Sequence, residues 1–562
     1  MFGHDSLPSK VFSYGAKTPI ENFESVKNQM YLAHKYRNAL VQAELERREL
    51  TDKALASTFP ALEELEATIK RKENELEALR TNIKTLNVER RDRTPSKDEA
   101  ENGKRVRNEL QELWTRRKEL RKECFSLPEW KIIGIPLEAE HKAKLKKLYA
   151  ESGCYWGTTL HINQSCSDFN KGAPPHFMSS RGDGHLAMQV QGGMTMDELL
   201  SGVDTRVQLG AVPDEAWKPG GRHLRKTTVK LRIGSNSDRT PIFATIPIVY
   251  HRPIPQDGVI KWVHLIRRMV GTKPEWRLQF VVSRREGWQP EDLAIKGIVG
   301  LDLGWRRMPD GGLRVASWRG NDGEKGTIVL PSRWQNGMDK VNDIQSIRDK
   351  NFNTTREKLM ALLGRAPEWL KDETKSIGQW RSIKKLAKVS NKWREKRFEG
   401  DEEIYGFLEN WRKQDKHLLE YSENLRDQLQ RQRLDVYRNF AAFLRRRYRK
   451  VVLEKLKKGL FQECPEAEDI REDAPSKENR KRACLSNLRT ALSNNMAALE
   501  EVGAAYTSQT CPDCGAREKF EPEFIEHKCS SCGSVYDRDD KAALNILRRA
   551  SEYQKKRKKK GA

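Results

Sequence analysis

Two pairs of cysteines constrain the fold of this chain more than any other feature. They form CPDC at 511 to 514 and CSSC at 529 to 532, a C-x2-C-x14-C-x2-C spacing. Each pair presents two thiolates from one tight turn, and four such sulfurs complete a tetrahedral zinc site. We therefore predict a structural Zn²⁺ ion held by Cys511, Cys514, Cys529 and Cys532. A redox role is disfavoured because both pairs are complete ligand pairs.

Composition limits the class of protein and its partners. The other five of the nine cysteines are scattered, which favours metal binding over disulfides. The 562 residues are enough for ~3 to 4 domains. Lys and Arg number 105 against 80 Asp and Glu, and this net charge of +25 predicts a polyanionic partner, above all nucleic acid. Charge alone leaves DNA, RNA and anionic lipid open.

Hydropathy gives no sign of a membrane protein. No stretch approaches the ~18 to 20 consecutive apolar residues of a membrane span. The start, MFGHDSLPSKVFSYG, has no basic segment followed by an apolar core. We expect a cytoplasmic protein with no membrane partner.

In the first half of the chain, the spacing of apolar residues changes once, from helical steps to a period of two. Apolar residues recur at helical steps on both sides of the polar stretch 91 to 103, which predicts an antiparallel helical hairpin. Its Arg-rich and Lys-rich faces fit a phosphate backbone or plain solvent equally well. Between about 153 and 285 the period becomes two, as in Val229, Leu231 and Ile233, which alternate with Lys230 and Arg232. This pattern predicts an antiparallel β domain, either a barrel or a sandwich.

The second half alternates short strands with long helices. The runs GIVGLDLGW, GLRVASW and GTIVLP predict a three-stranded meander from residue 296. Helices are expected from about 339 to 448, followed by one short strand, KVVLEKL, and a further helix at about 476 to 500. The cysteine pairs and a basic tail, KKRKKK, come last.

Three carboxylates lie where an acid is unusual. Asp302 ends the apolar run GIVGL, and Glu454 directly follows VVL. Asp537, Asp539 and Asp540 precede a helix, whose cap needs only one of them. Salt bridges to arginine would explain Asp302 or Glu454 taken alone. Together with Asp539, the set predicts a site for two Mg²⁺ ions ~4 Å apart, the arrangement used in phosphodiester hydrolysis.

These motifs resemble a known family. GLDLG around Asp302, VVLE around Glu454, and TSQTCPDCG with CSSCGSVYDRDDKAALNI are similar to the split RuvC nuclease domain of type V CRISPR effectors and their transposon-encoded TnpB relatives. The resemblance implies that Asp302, Glu454 and Asp539 are catalytic Mg²⁺ ligands, with Asp537 a less favoured alternative to Asp539. It also implies a ribonuclease-H-like domain in which the zinc ribbon precedes the third catalytic segment.

The resemblance implies an α+β multidomain fold with a helical recognition lobe, a β-barrel-like wedge domain and an RNase H-like (RuvC) α/β domain that carries the zinc ribbon. The expected segments are wedge start (1–20), recognition lobe (21–150), wedge (151–295), RuvC segment I (296–332), helical insertion (333–448), RuvC segment II (449–505), ribbon (506–536), and RuvC segment III with the basic tail (537–562).

The implied function is that of a miniature CRISPR effector of the prokaryotic cytoplasm. One chain would bind one guide RNA, with or without a second RNA, and complementary double-stranded DNA, and a Mg²⁺-dependent RuvC endonuclease site would act on the DNA. Two departures, Lys455 and Lys541, leave the cleavage rate open. The phrase LDLGWRRMPDGGLRVASW is similar to branches that bind DNA with little or no cleavage, so silencing by occupancy is the alternative. The helical hairpin and the length argue against a transposon-associated nuclease.

Overall fold

A computed structural model describes residues 9–89, 97–167, 169, 175–178, 182–202, 206–236, 238, 240–284, 294, 296–455, 474–503, 505–518 and 525–560. The architecture is mixed α+β, as the sequence predicts. The chain divides into two compact units, one of Met1–Arg268 and Pro274–Gly287, the other of Met269–Lys273 and Trp288–Ala562. Within the described ranges, no helix combines the length and the apolar character that crossing a membrane requires.

The first unit contains six helices among its described residues: α1 (Phe23–Thr58), α2 (Pro60–Glu89), α3 (Lys97–Ser126), α4 (Pro128–Glu151), α5 (Trp156–Cys166) and α6 (Met196–Ser201). Helices α2 and α3 form the predicted hairpin, and their shared core contains Leu65, Ile69, Val106 and Leu110. Helix α3 begins earlier than the sequence predicts, because acidic residues and alanine in KDEAENG suit a first helical turn.

A seven-stranded sheet completes the first unit. Its strands are β1 (Ser9–Ala16), β2 (Gly184–Met194), β3 (Val207–Leu209), β4 (Lys226–Ser235), β5 (Pro241–Val249), β6 (Gly258–Val270) and β7 (Lys273–Arg284), in the order β2-β6-β7-β1-β5-β4-β3. Val229, Leu231 and Ile233 are buried, as their alternation predicts. All seven strands belong to one sheet, so the sandwich alternative is wrong. The described hydrogen bonds also leave the sheet open between β2 and β3.

The second unit is built on a five-stranded sheet of order β10-β9-β8-β11-β12. The predicted meander forms β8 (Ile298–Arg307), β9 (Leu313–Gly320) and β10 (Lys325–Leu330). Strand β11 (Lys450–Glu454) pairs in parallel with β8 and with β12 (Ala498–Val502). The helices are α7 (Ser332–Leu362), α8 (Glu368–Thr374), α9 (Ile383–Glu395), α10 (Glu402–Arg447), α11 (Ala474–Ala483), α12 (Leu485–Asn495) and α13 (Arg538–Lys560). A two-stranded ribbon, β13 (Glu526–Lys528) and β14 (Val535–Asp537), precedes α13.

The predicted helix at 476 to 500 is wrong in two respects. Cys484 adopts a positive φ of 44° and separates α11 from α12. Residues ALEEV then form β12 instead of extending the helix. Their parallel pairing with the buried strand β11 overrides the weak strand propensity of a segment with two glutamates.

Strand β8 presents different residues to the two faces of its sheet. Val299, Leu301 and Leu303 join the core that also contains Tyr437 and Leu444 of α10. Gly300 faces α13, and a Cβ atom on it would lie 2.5 Å from the carbonyl oxygen of Ala543. Helix α13 therefore packs directly on the backbone of β8. Asp302, two residues after Gly300, lies on the same face.

Candidate functional site

Asp302, Glu454 and Asp539 line one cavity of about 500 Å³. Leu301 of β8 pairs with Leu453 of β11, so Asp302 and Glu454 are the next residues on two neighbouring parallel strands. Strands in one sheet lie ~4.8 Å apart, which brings the two residues close together. Asp539 enters the cavity from the first turn of α13. The structure thus gathers three carboxylates that are distant in sequence.

The electrostatics of the cavity favour a cation. Burial, together with the negative charges of Glu454 and Asp539, raises the pKa of Asp302 well above its usual value. Burial also raises the pKa of Glu454 to about 7, while the nearby Arg549 acts in the opposite direction. A bound cation would relieve this repulsion between carboxylates. Donor groups that consist only of oxygen suit a hard ion such as Mg²⁺ better than zinc.

Ser317 supports the presence of a polar occupant. It pairs with Asp302 across β8 and β9, lines the same cavity and is only 1% exposed. Its hydroxyl has no hydrogen-bond partner among the described residues. Buried polar atoms are nearly always satisfied. A hydrated metal ion in this cavity would supply the missing partner, so the residues present fit such an ion.

Two arginines engage the third carboxylate. Arg306 contacts both oxygens of Asp539, with Nε and Nη2 each at 3.3 Å. Nη1 of Arg314 lies 3.2 Å from the same carboxylate. Arg306 and Arg314 face each other across β8 and β9. A metal ion that binds Asp539 must therefore compete with two guanidinium groups.

The three aspartates before α13 have different partners. Asp537 accepts hydrogen bonds from the backbone N–H groups of Asp539, at 2.9 Å, and Asp540, at 3.2 Å, so it is the helix cap. It also accepts from Arg314 at 2.7 Å. Asp540 pairs with Arg319 and Lys325, each at 3.4 Å. Only Asp539 of the three lines the cavity, so the geometry favours it over Asp537.

The four clustered cysteines converge as a group. Their sulfur atoms lie within 4.8 Å of one another, and the pairs Cys511 with Cys532 and Cys514 with Cys529 are 3.6 Å apart. A tetrahedral zinc ion with Zn–S bonds of ~2.3 Å places its sulfurs ~3.8 Å apart. The cluster could therefore hold Zn²⁺ with little rearrangement.

The two cysteine turns share one backbone geometry. Gly515 donates its N–H to Cys511 O at 3.0 Å, and Gly533 donates to Cys529 O at 2.9 Å. Both glycines have positive φ, 77° and 73°, which residues with a side chain rarely adopt. The glycine after each cysteine pair thus permits the turn that aims both thiols at one point.

The ribbon is continuous with the carboxylate site. Glu518 accepts from the backbone N–H of Ser530 at 3.0 Å and contacts His527 at 3.0 Å, which braces the second cysteine turn. Strand β14 ends at Asp537, the residue that caps α13. Order in the ribbon therefore fixes the start of the helix that carries Asp539.

Comparison with known proteins identifies the family of this chain. Residues 486–546 match the family model "Cas12f1-like, TNB domain". The chain is 36% identical over 430 residues to the CRISPR-associated DNA-binding protein Cas12m of Thermanaerosceptrum fracticalcis, covering 73% of this chain and 72% of that relative. It is 32% identical to the protein of the same name from Allomeiothermus silvanus over 98% of this chain and 99% of the relative. The chain belongs to the Cas12m family. It is thus a miniature type V CRISPR effector, as the motifs suggest.

Two solved structures align with most of this Cas12m family member. A cryo-EM structure of Cas12f1 with single-guide RNA and target DNA aligns over 96% of this chain and 99% of the Cas12f1 chain, at 12% identity and a TM-score of 0.36. A crystal structure of Alicyclobacillus acidoterrestris C2c1 with single-guide RNA matches 94% of this chain and 70% of that chain, at 11% identity and a TM-score of 0.30.

Several residues around the carboxylate cavity are not identified by sequence reasoning. Arg306 and Arg314 belong to the GWRRMPDGGLRVASW phrase, but their contact with Asp539 depends on tertiary structure. Ser317 carries no local sequence signal.

Lys541, one of the two departures from the family pattern, is only 1% exposed. Burial lowers its pKa, while the thiols of Cys511 and Cys529 and the carboxylate of Glu518 oppose that effect.

Proposed function

We propose that this chain is a CRISPR RNA-guided effector that binds guide RNA and complementary double-stranded DNA in the cytoplasm of a prokaryotic cell. The observation that carries the proposal is its similarity, over 98% of its length in one case, to proteins named as DNA-binding Cas12m. Its net charge of +25 suits a polyanionic partner. In such effectors base pairing reads the sequence, while the protein holds the heteroduplex backbone and reads a short flanking motif.

The carboxylate cavity is proposed as a RuvC-type metal site. Asp302, Glu454 and Asp539 would hold Mg²⁺, which when bound supplies charge stabilisation and an activated water for phosphodiester hydrolysis. The raised pKa of Asp302 and the unsatisfied hydroxyl of Ser317 support a cation at this place. The four clustered cysteines are proposed to hold a structural Zn²⁺ ion that orders the start of α13.

We infer further that binding, with slow or absent cleavage, is the main activity of the complex. Arg306 and Arg314 already neutralise Asp539, so a cation gains less from this carboxylate than from an unpaired one. The name of the relatives, which specifies DNA binding, agrees with this inference. Silencing of transcription by occupancy of the target is the function that follows.

Binding and cleavage are separated by one experiment. The purified chain with guide RNA is incubated with a guide-matched supercoiled plasmid in Mg²⁺, and binding is measured on the same DNA. Asp302→Ala tests the site, and Asp310→Ala, an exposed residue in the turn between β8 and β9, is the matched control. We expect guide-dependent binding and intact plasmid. Nicked or linear product that disappears only in Asp302→Ala would overturn the inference that cleavage is slow or absent. Absence of guide-dependent binding would overturn the whole proposal.

A further inference from the structure

Three histidines converge in the first unit, far from the cysteine ribbon in sequence. His161 lies on α5, His185 on β2 and His264 on β6. Each offers one ring nitrogen, and these three atoms lie within 4.8 Å of one another. We propose that His161, His185 and His264 bind a divalent transition-metal ion, for which zinc is the expected occupant.

The backbone explains why the rings meet. Ala187 pairs with His264 and His185 pairs with Ile266, so the two strand histidines are diagonal neighbours on one face of the sheet. Helix α5 packs on β2, and the Thr158 hydroxyl donates to Ala187 O at 3.1 Å. His161, one turn further along α5, then completes the group from above the sheet.

The three rings are in contact at tilted or edge-on angles of 40° to 72°, and among the described residues they have few other polar partners. Nε2 of His185 lies 2.9 Å from Nδ1 of His264, and the three ring centroids are 4.8 to 5.1 Å apart. Among the described residues, His161 makes ring contacts with His185, His264 and Trp262. Trp262 also stacks on His264 at an interplanar angle of 17°, which limits the rotation of that ring.

The donor chemistry selects the class of ion. Neutral imidazole nitrogens are ligands for zinc, copper and nickel, whereas Mg²⁺ and Ca²⁺ require oxygen. A single ion can accept the lone pairs of all three neutral rings. A second proton on more than one ring would instead place positive charges side by side. Three histidines leave the fourth position of a tetrahedral zinc ion for water.

The exposure of the three side chains fits such a site. His264 is buried, His161 is half-buried and His185 is exposed, so an ion can enter from the side of His185. When bound, the ion would link α5 to both β2 and β6. Its expected effect is to stabilise this end of the seven-stranded sheet, where β2 is the end strand.

Zinc content tests the proposal directly. The untagged full-length chain is purified with zinc present, dialysed, and analysed for zinc per chain by mass spectrometry. We expect His185→Ala and the double variant His161→Ala, His264→Ala each to lose one equivalent of zinc relative to wild type. His223→Ala, an exposed histidine outside the cluster, is the control and should lose none. Unchanged zinc content in both cluster variants would overturn the proposal.

Two further measurements separate this site from the cysteine ribbon and from misfolding. In a chain with Cys511, Cys514, Cys529 and Cys532 all replaced by Ser, the remaining zinc should show only nitrogen and oxygen neighbours by X-ray absorption. The absence of bound zinc in that chain would contradict the assignment. Because the His185 ring contacts the buried His264, each variant is compared with its own metal-free melting temperature. Stabilisation by added Zn²⁺ should then be smaller in His185→Ala than in wild type, and equal stabilisation would contradict the proposal.

Discussion

The guanidinium group of Arg306 contacts both carboxylate oxygens of Asp539 at 3.3 Å, on the wall of a cavity that Asp302 and Glu454 also line. This ion pair joins a carboxylate that favours metal binding to an arginine that opposes it. The three gathered carboxylates are typical of a metal site for phosphodiester hydrolysis. The arginine supplies a positive charge at the place where such a site uses a metal ion.

Removal of the Arg306 charge should strengthen metal binding. The pair is mostly buried, and the loss of a competing partner worth about 1 kcal/mol corresponds to roughly fivefold tighter binding. We expect Arg306→Gln to lower the Kd for Mg²⁺ or Mn²⁺ by that factor in a calorimetric titration. Arg307→Gln is the control, since Arg307 is exposed and contacts Asp339. Equal affinities in wild type and Arg306→Gln would contradict competition at Asp539.

Close packing of α13 on β8 should make Gly300 intolerant of a side chain. A Cβ atom there would lie 2.5 Å from Ala543 O and 2.7 Å from Leu547 N. We expect Gly300→Ala to destabilise the chain by about 2 kcal/mol, as overpacked cores do, and to lower its melting temperature. Gly304→Ala, on the same strand, meets nothing within 4 Å and should be nearly neutral. A neutral Gly300→Ala would show that α13 is not held against this strand.

Loss of the proposed zinc site should disorder the ribbon and the start of α13. We expect Cys529→Ser to remove one zinc equivalent and to expose the segment around 505 to 540 to limited proteolysis, because structural zinc contributes directly to folding. Cys154→Ser, outside the cluster, should retain both the zinc and the protection. Full protection in Cys529→Ser would mean that the ribbon folds without its metal.

The stability of the helical part of the second unit should depend on the ionisation of Asp401. Hydrogen bonds from Arg397, together with those from Trp393 Nε1 at 2.7 Å and Phe398 N at 3.1 Å, lower the pKa of Asp401 to about 2. The stabilisation is complete above the unfolded pKa of ~3.9 and is lost as the pH falls towards 2.

The variant Asp401→Ala tests this dependence. It leaves the buried Trp393 N–H without its acceptor, and we expect a loss of about 3 kcal/mol at pH 7 by urea unfolding. The difference from wild type should shrink below pH 4. Asp435→Ala, at an exposed position on α10, should cost little at either pH. A difference that is constant from pH 7 to pH 2.5 would contradict the role of the ionised carboxylate.

Local sequence patterns predicted much of the second unit. The meander, the position of β11 and the spacing of the cysteines each depend on short-range chemistry. Asp302 and Glu454 were predicted to converge because both follow buried strands, and the parallel register of β8 and β11 brings them together. Strand β12 was missed because ALEEV has no strand signal, and only its pairing with β11 makes it extended.

The charged and polar groups around the cavity could not be predicted without the structure. Strict alternation along β9 would place Ser317 and Arg314 on opposite faces. The register of this strand shifts against both neighbours between residues 314 and 316, and as a result both side chains line the cavity. The three histidines were missed for a related reason, since they come from three elements and share no motif spacing.

Guide-dependent DNA binding tests the central claim most directly. The purified chain is assembled with a guide RNA, and its Kd is measured by gel shift for a matched duplex and for one mismatched beside the flanking motif, at fixed salt. We expect tight binding of the matched duplex and a loss of at least about 100-fold for the mismatched one. Binding that is equal for both duplexes, or unchanged when the guide RNA is omitted, would contradict the account.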